Sequence, residues 1–199
     1  MLTLMDINTL IARRVRELRD YHGLSLEALA ERSGVSRSNI SLIERGQSSP
    51  TAAVLDKLAT ALGVALASLF EAPAAAVASS PLARAAEQAV WTDPASGYVR
   101  RALSPALPSP IQLVEVHFPA GQRVAYETGA RDAEIHQQIW LIEGAMEISA
   151  GDQQWRLEVG DCVAMRLDAP TVFHNPTRKP ARYLVALSTL PFAPVRRSA

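Results

Sequence analysis

Apolar residues recur at helical spacing through the first third of the chain and give way to two-residue alternation beyond Val90. Ile7, Leu10, Ile11, Val15 and Leu18 form one stripe, which stops at His22-Gly23. Leu29 and Ala30 supply a second, shorter inner face, and Val35, Ile40 and Ile43 a third. Ser49-Pro50-Thr51 restarts a helix whose stripe is Val54, Leu55, Leu58, Ala59 and Leu62, closed by Gly63, and Leu66, Leu69 and Phe70 make a last short turn. The spacing predicts five helices, a compact all-α bundle over residues 1–71.

Local signals in this region are dense between Ser25 and Gly46. Ser25 is placed to cap the second helix, with Glu27 favoured in its first turn by the helix dipole. Gly34 permits the left-handed backbone that ends that helix, and Ser36 caps the next. While Ile40 and Ile43 face inward, Arg37, Ser38, Asn39 and Ser41 form a polar face on the N-terminal half of the third helix. In a DNA-reading helix this half meets base edges, where Arg bonds guanine and Asn bonds adenine in bidentate fashion. Any serine-rich amphipathic helix has the same look, and only the surrounding helices separate the two readings.

With those helices in view, the run RRVRELRDYHGLSLEALAERSGVSRSNISLIERGQSSPTAAVLDKLATALGVALASLF resembles the Cro/phage-repressor (XRE) helix-turn-helix domain along its length. Its most specific pieces are LSLEALAERSGVS, ISLIERG and the proline before the fourth helix. The resemblance implies binding to double-stranded DNA by the helix from Ser36 to Arg45, with Arg37, Ser38 and Asn39 nearest the bases and Arg45, Gln47 and Ser48 near the phosphates. It also implies an internal ion pair between Arg19 and Glu44. Leu26 departs from the family, many of whose members carry a DNA-contacting Gln there. Tyr21 is read as a packing residue.

Residues 72–88, rich in Ala and Pro, read as a linker, with a short helix possible between Leu82 and Val90. Short β-like runs follow at Tyr98–Leu103, Ile111–Phe118, Gln138–Ile142, Ala145–Ser149, Gln154–Leu157, Asp161–Leu167 and Arg182–Leu187, separated by turn residues. This pattern predicts a small antiparallel barrel over residues 89–195, with Trp91, Trp140 and Trp155 as bulk for its wall or lining. The segments LVEVHFPAG, IWLIEGAMEIS and WRLEVGDCVAMRLDAPTVFHNPTRKPARYLVAL resemble the cupin (jelly-roll) fold. The expected molecule therefore has two domains, a five-helix bundle followed by an all-β cupin barrel.

Cupin chemistry rests on metal ligands, and the resemblance says where they would lie. Counting back from Gly144 puts Gln137 at the glutamate position and Arg131 with Ala133, or Ala130 with Asp132, at the histidine pair. Asn175 fits the second motif, which leaves Thr171 where its histidine belongs. The customary ligands are absent, so neither a metal nor another cofactor is expected. Glu134 and His136, two apart on one strand face, together with His174, Glu127 and His117, are the residues that could form a displaced site. Candidates for contacting a ligand are Arg131, Glu134, His136, Trp140, Arg166 and His174; Arg166 could pair with a carboxylate ligand or bridge to Glu158 or Asp161.

Charge changes the picture less than pattern does. The formal net charge is zero, and the first 72 residues balance eight basic against eight acidic side chains. DNA affinity must then come from clustering on one face, from helix N-termini and from doubled contacts in a homodimer. The lone Cys162 excludes an internal disulfide and reads as a small core residue; with no signal peptide and no apolar run of membrane length, a cytoplasmic home is expected. The leading expectation is a DNA-binding transcriptional regulator without catalytic activity, whose barrel senses a small-molecule effector, dimerises, or both. Its alternatives are a metal-dependent cupin enzyme of isomerase or dioxygenase type tethered to DNA, and an antitoxin-type protein whose second domain only binds a partner.

Overall fold

A computed structural model describes residues 7–71, 80–107, 109–127 and 133–191. Its helical unit comprises α1 (Ile7–Tyr21), α2 (Leu26–Ser33), α3 (Arg37–Glu44) and α4 (Ala52–Ala61), followed by a 3-10 turn at Leu66–Phe70. Among the described residues four α-helices thus stand where five helices were expected. The fifth segment, with apolar side chains at four of its five positions, tightens into a 3-10 turn that buries Leu66, Ala67, Leu69 and Phe70.

The caps form as the sequence dictates. Ser25 Oγ accepts from Ala28 N–H, Ser36 Oγ from Asn39 N–H and Thr51 Oγ1 from Val54 N–H. Gly34 takes the left-handed conformation at φ 67° and its N–H bonds the Ala30 carbonyl, which turns the chain sharply from α2 into α3. Ile11, Val15, Leu29, Ile40, Ile43, Leu55 and Leu58 are almost fully buried between the helices. Arg19 grips Glu44 at both carboxylate oxygens, Nε–Oε1 2.6 Å and Nη2–Oε2 3.0 Å, and also donates to the Leu24 carbonyl, so it locks α1 onto α3. Tyr21, expected to pack, is 85% exposed at the end of α1, its ring edge-on to His22; the helix ends before the core can cover it.

Among the described residues ten strands build two antiparallel sheets. One runs β1 (Val90–Thr92), β2 (Val99–Ala102), β3 (Ile111–Phe118), β10 (Ala181–Pro191), β5 (Ala133–Glu143), β8 (Cys162–Arg166). The other runs β4 (Arg123–Tyr126), β9 (Thr171–His174), β6 (Met146–Ala150), β7 (Gln153–Leu157). This is the two-sheet jelly roll of the cupin fold. Strands β1, β4 and β9 are too short to stand out by alternation. The expected helix at Leu82–Val90 is only a 3-10 turn at Ala85–Glu87. Gly144, at φ 80°, lets the β5–β6 turn pass beneath Pro180, whose carbonyl oxygen would lie 2.7 Å from any Cβ there.

The helical unit and the jelly roll share one continuous apolar core. Phe70 packs on Trp91 with ring centroids 5.4 Å apart, Trp91 packs on Tyr98 at 5.7 Å, and Tyr98 stacks on Phe118 at 5.7 Å. Buried Asp93, just beyond β1, accepts the Ala52 N–H at 2.9 Å and so satisfies a free donor at the start of α4 from the other unit. Lys57 reaches Glu127 at 3.2 Å. The two units are therefore packed directly on one another, not merely strung on a tether, because burying Phe70 and Trp91 removes large apolar faces from water. Residues 72–79 of the expected linker lie outside the described residues.

Candidate nucleic-acid interface and barrel cavity

On α3 the inner residues Ile40 and Ile43 are buried, whereas Arg37 and Ser38 are exposed and Asn39 and Ser41 half-buried. Ser36 has a double role: its hydroxyl caps the helix and lies 3.3 Å from Ser38 Oγ. Arg37 holds a loose contact with Glu27 of α2, 3.4 Å apart with both side chains largely exposed, so its guanidinium is available to a partner that outcompetes a solvated carboxylate. Arg45 turns back to the Ser41 carbonyl, and Gln47 and Ser48 follow in the loop toward α4. Leu42, passed over by the sequence reading, is 39% exposed one turn beyond Ser38. A large apolar residue on an otherwise polar helix face was the signal for it.

The second site lies inside the jelly roll. A cavity of about 60 Å3 is bounded by Tyr98, Arg100, Val116, Tyr126, Gln137, Leu167, Thr171, Phe173, Tyr183, Val185 and Leu187 of the barrel and closed by Asp56 of α4 and Leu66 and Ala67 of the 3-10 turn. Gln137 and Thr171, the positions where the cupin resemblance would put metal ligands, do converge here and are 6% and 1% exposed. An amide and a hydroxyl that itself donates to the Ala169 carbonyl do not make a metal-binding set. Among the described residues no three His, Cys, Asp or Glu side chains gather closely enough to hold an ion.

The interior is strongly desolvating. Burial pushes the Tyr98 phenol up, with the Arg100 charge opposing it, and burial pushes Tyr126 and Tyr183 further above the ordinary range. Tyr98 and Tyr126 hydroxyls meet at 3.0 Å.

Most residues expected to contact a ligand face the other way. On β5 the buried residues are Ile135, Gln137, Ile139 and Leu141, which puts Glu134, His136 and Trp140 on the outer face of the six-stranded sheet. There Glu134 accepts from His136 at 3.0 Å and from Arg166 at 3.3 Å, and Arg166 also pairs with Asp168, not with Glu158 or Asp161. His174 sits outside the second sheet, 3.0 Å from Glu147. These are surface ion pairs, not a pocket lining, and the displaced site they were to form does not assemble. Glu127 is taken up by Lys57, and His117 lies beside Glu115 on the outer face at 3.6 Å. Arg131 lies outside the described residues.

The same parity exposes Trp140 (48%), across from Leu184, and Ile111 and Leu113 on β3, an apolar strip on the outer face. Cys162, read as a core residue, is exposed there opposite Trp140, because β8 alternates with Val163 inward. Of the three tryptophans, only Trp91 is fully buried, and it lies between the units, outside the barrel lining.

The family model for helix-turn-helix domains of the HTH_3 type matches residues 15–69, from the middle of α1 through α4 into the 3-10 turn. The uncharacterized HTH-type transcriptional regulator y4dJ of Sinorhizobium fredii is 42% identical over 60 residues, 30% of this chain and 78% of that protein. The chain belongs to the XRE-type helix-turn-helix transcriptional regulators. Within that family, the HTH-type transcriptional regulator SutR of Escherichia coli is similar across both units, 27% identical over 167 residues that cover 83% of this chain and 86% of SutR. A crystal structure of an HTH_3 family transcriptional regulator from Vibrio cholerae superposes with a TM-score of 0.71 at 25% identity, covering 94% of this chain and 98% of that one. As an XRE-type regulator, the chain carries its DNA-binding helices at the N-terminus and a cupin jelly roll behind them.

Proposed function

We propose that this XRE-type regulator reads a palindromic operator as a homodimer and that a small molecule in the barrel cavity tunes that binding, with no catalytic step. The observation that carries the reading is the cavity's construction: barrel residues form its walls, and α4 and the 3-10 turn of the DNA-binding unit close it. A ligand that fits one placement of these elements better than another shifts the population of DNA-binding heads. The enzyme alternative loses ground because Gln137 and Thr171 occupy the ligand positions, and because the relatives are named as regulators.

In this reading Arg37, Ser38, Asn39 and Ser41 face base edges, Ser36 presents the helix N-terminus, and Arg45, Gln47 and Ser48 lie along the phosphates. Residues 1–71 form the DNA-binding domain, 72–88 the connection and 89–195 the sensor. The second copy docks on the strip of Trp140, Leu184, Ile111 and Leu113, whose flanks carry charges of both signs, Glu134 with Arg166 at one end and Arg182 with Glu143 at the other. Two-fold pairing there presents two α3 helices to half-sites on one DNA duplex. Such a regulator works where the chromosome is, in the cytoplasm; among the described residues no helix is long and apolar enough to cross a membrane.

Selection of bound duplexes from a random pool, followed by titration of the recovered sequence, tests the reading. A two-fold symmetric consensus is expected; enrichment of no sequence over random DNA refutes it. Trp140→Asp is expected to convert a dimer to a monomer by sedimentation while leaving the fold intact, and a dimer that survives it moves the subunit contact elsewhere.

A further inference from the structure

Two nitrogen donors, the Gln137 amide and the Arg100 guanidinium, line the cavity. Gln137 is 6% exposed, lines the cavity, and its Nε2 has no hydrogen-bond partner, which is costly for an amide in so apolar a setting. Arg100, on β2 directly across from Val116, also lines the cavity. Its guanidinium lies 5.4 Å from the centroid of the Phe70 ring and hydrogen-bonds the Tyr98 phenol. Around these donors much of the wall is hydrocarbon, from Val116, Leu167, Phe173, Val185 and Leu187, while Thr171 and three tyrosines add hydroxyls and buried Asp56 closes the α4 side with a carboxylate.

From this juxtaposition we infer that the cavity takes a small carboxylic acid with an apolar body, its carboxylate held by the Arg100 guanidinium and the Gln137 amide. The planar fork of arginine matches a carboxylate, and the amide supplies a further donor to the same group. An apolar body fills the remainder, which a bare oxyanion leaves empty. At about 60 Å3 the cavity has room for roughly four waters, so the acid is small.

The inference deepens the sensor reading and rests on it. It also locates the coupling. Phe70 belongs to the DNA-binding unit, so a carboxylate that draws Arg100 into the cavity does so at the expense of its contact with the Phe70 ring. Acid binding and the seating of the DNA-binding heads are linked through one side chain, and the linkage is reciprocal.

Thermal melting and calorimetric titration of the full-length protein test this with matched probes: propionate, butyrate, isobutyrate and benzoate, each against its own amide, and inorganic phosphate and sulfate. At least one acid is expected to bind and raise the melting temperature while its amide does not, and to change the emission of Trp91, which packs on Phe70. Arg100→Gln is expected to abolish acid binding. Because that change also removes the Phe70 contact, Gln137→Leu is the companion variant: it swaps an unpartnered amide for a similar apolar shape, so it is expected to fold at least as stably and to bind the acid about tenfold more weakly. Amides binding as well as acids, or phosphate or sulfate binding in place of them, overturns the acid and leaves the cavity a ligand site. Silence from every probe also overturns it; if a small-molecule cell extract still changes operator affinity, the sensor reading survives alone, and if it does not, both fail.

Discussion

The recognition helix and the barrel cavity are built in opposite ways. Everything α3 needs lies within about twenty residues: Ser25 and Ser36 cap, Gly34 turns, Ile40 and Ile43 anchor, and the outward side chains are thereby aimed. The side chains proposed to read bases are exposed or half-buried and, apart from the Ser36 cap, contribute little to holding the fold. The cavity instead draws Arg100, Gln137, Thr171 and Leu66 from four distant segments and two units, and its walls are also the core. A substitution on α3 is therefore free to alter function alone, whereas one at the cavity or the seam between units alters function and stability together.

The largest effect that contrast predicts is at the seam. Trp91→Ala removes the ring between Phe70 and Tyr98 and is expected to cost about 3–5 kcal/mol of stability, measured by chemical denaturation. If the two units are one folding unit, the wild type melts in a single transition and the variant splits it in two; a wild type already melting in two steps breaks the comparison.

Next come the reading residues: Arg37→Ala and Asn39→Ala are each expected to weaken operator binding by about 1–3 kcal/mol with melting unchanged. Undiminished operator affinity in both variants removes those side chains from base readout. A smaller loss is expected for Asp93→Ala, about 1–2 kcal/mol, because the Ala52 N–H at the start of α4 loses a buried acceptor supplied from the barrel. Asp93→Asn, which keeps a carbonyl oxygen, is expected to restore much of that loss in the same melts. The smallest is Glu27→Gln. It frees Arg37 from a solvated contact and is expected to move stability by no more than about 0.5 kcal/mol while raising affinity for any DNA, read as a steeper dependence on salt.

The helical unit was legible residue by residue, since caps, stops and stripes act over one or two turns. Its misreadings, Tyr21 and the fifth helix, sit where the chain leaves the bundle and local spacing no longer decides burial. In the barrel all the described strands but β1, β4 and β9 were also legible, as was the alignment of Gln137 and Thr171, and both residues do meet in the cavity. The choice of ligand-contacting residues was not. Glu134, His136 and Trp140 were singled out for their chemistry, but a strand sends neighbours to opposite faces, and Gln137, between them in sequence, is the one that points in. Arg100 carried no motif at all.

By itself the sequence determined that an XRE-type DNA-binding bundle precedes a jelly roll, and which side chains α3 presents, because helical period and capping are short-range physics. Only the tertiary structure decided which face of each strand is inside, that Trp91 seals the two units into one core, and that α4 and the 3-10 turn close the cavity. Those outcomes depend on sheet register and on apolar surfaces meeting across more than a hundred residues of chain, from Leu66 to Leu187, and no local window contains both partners.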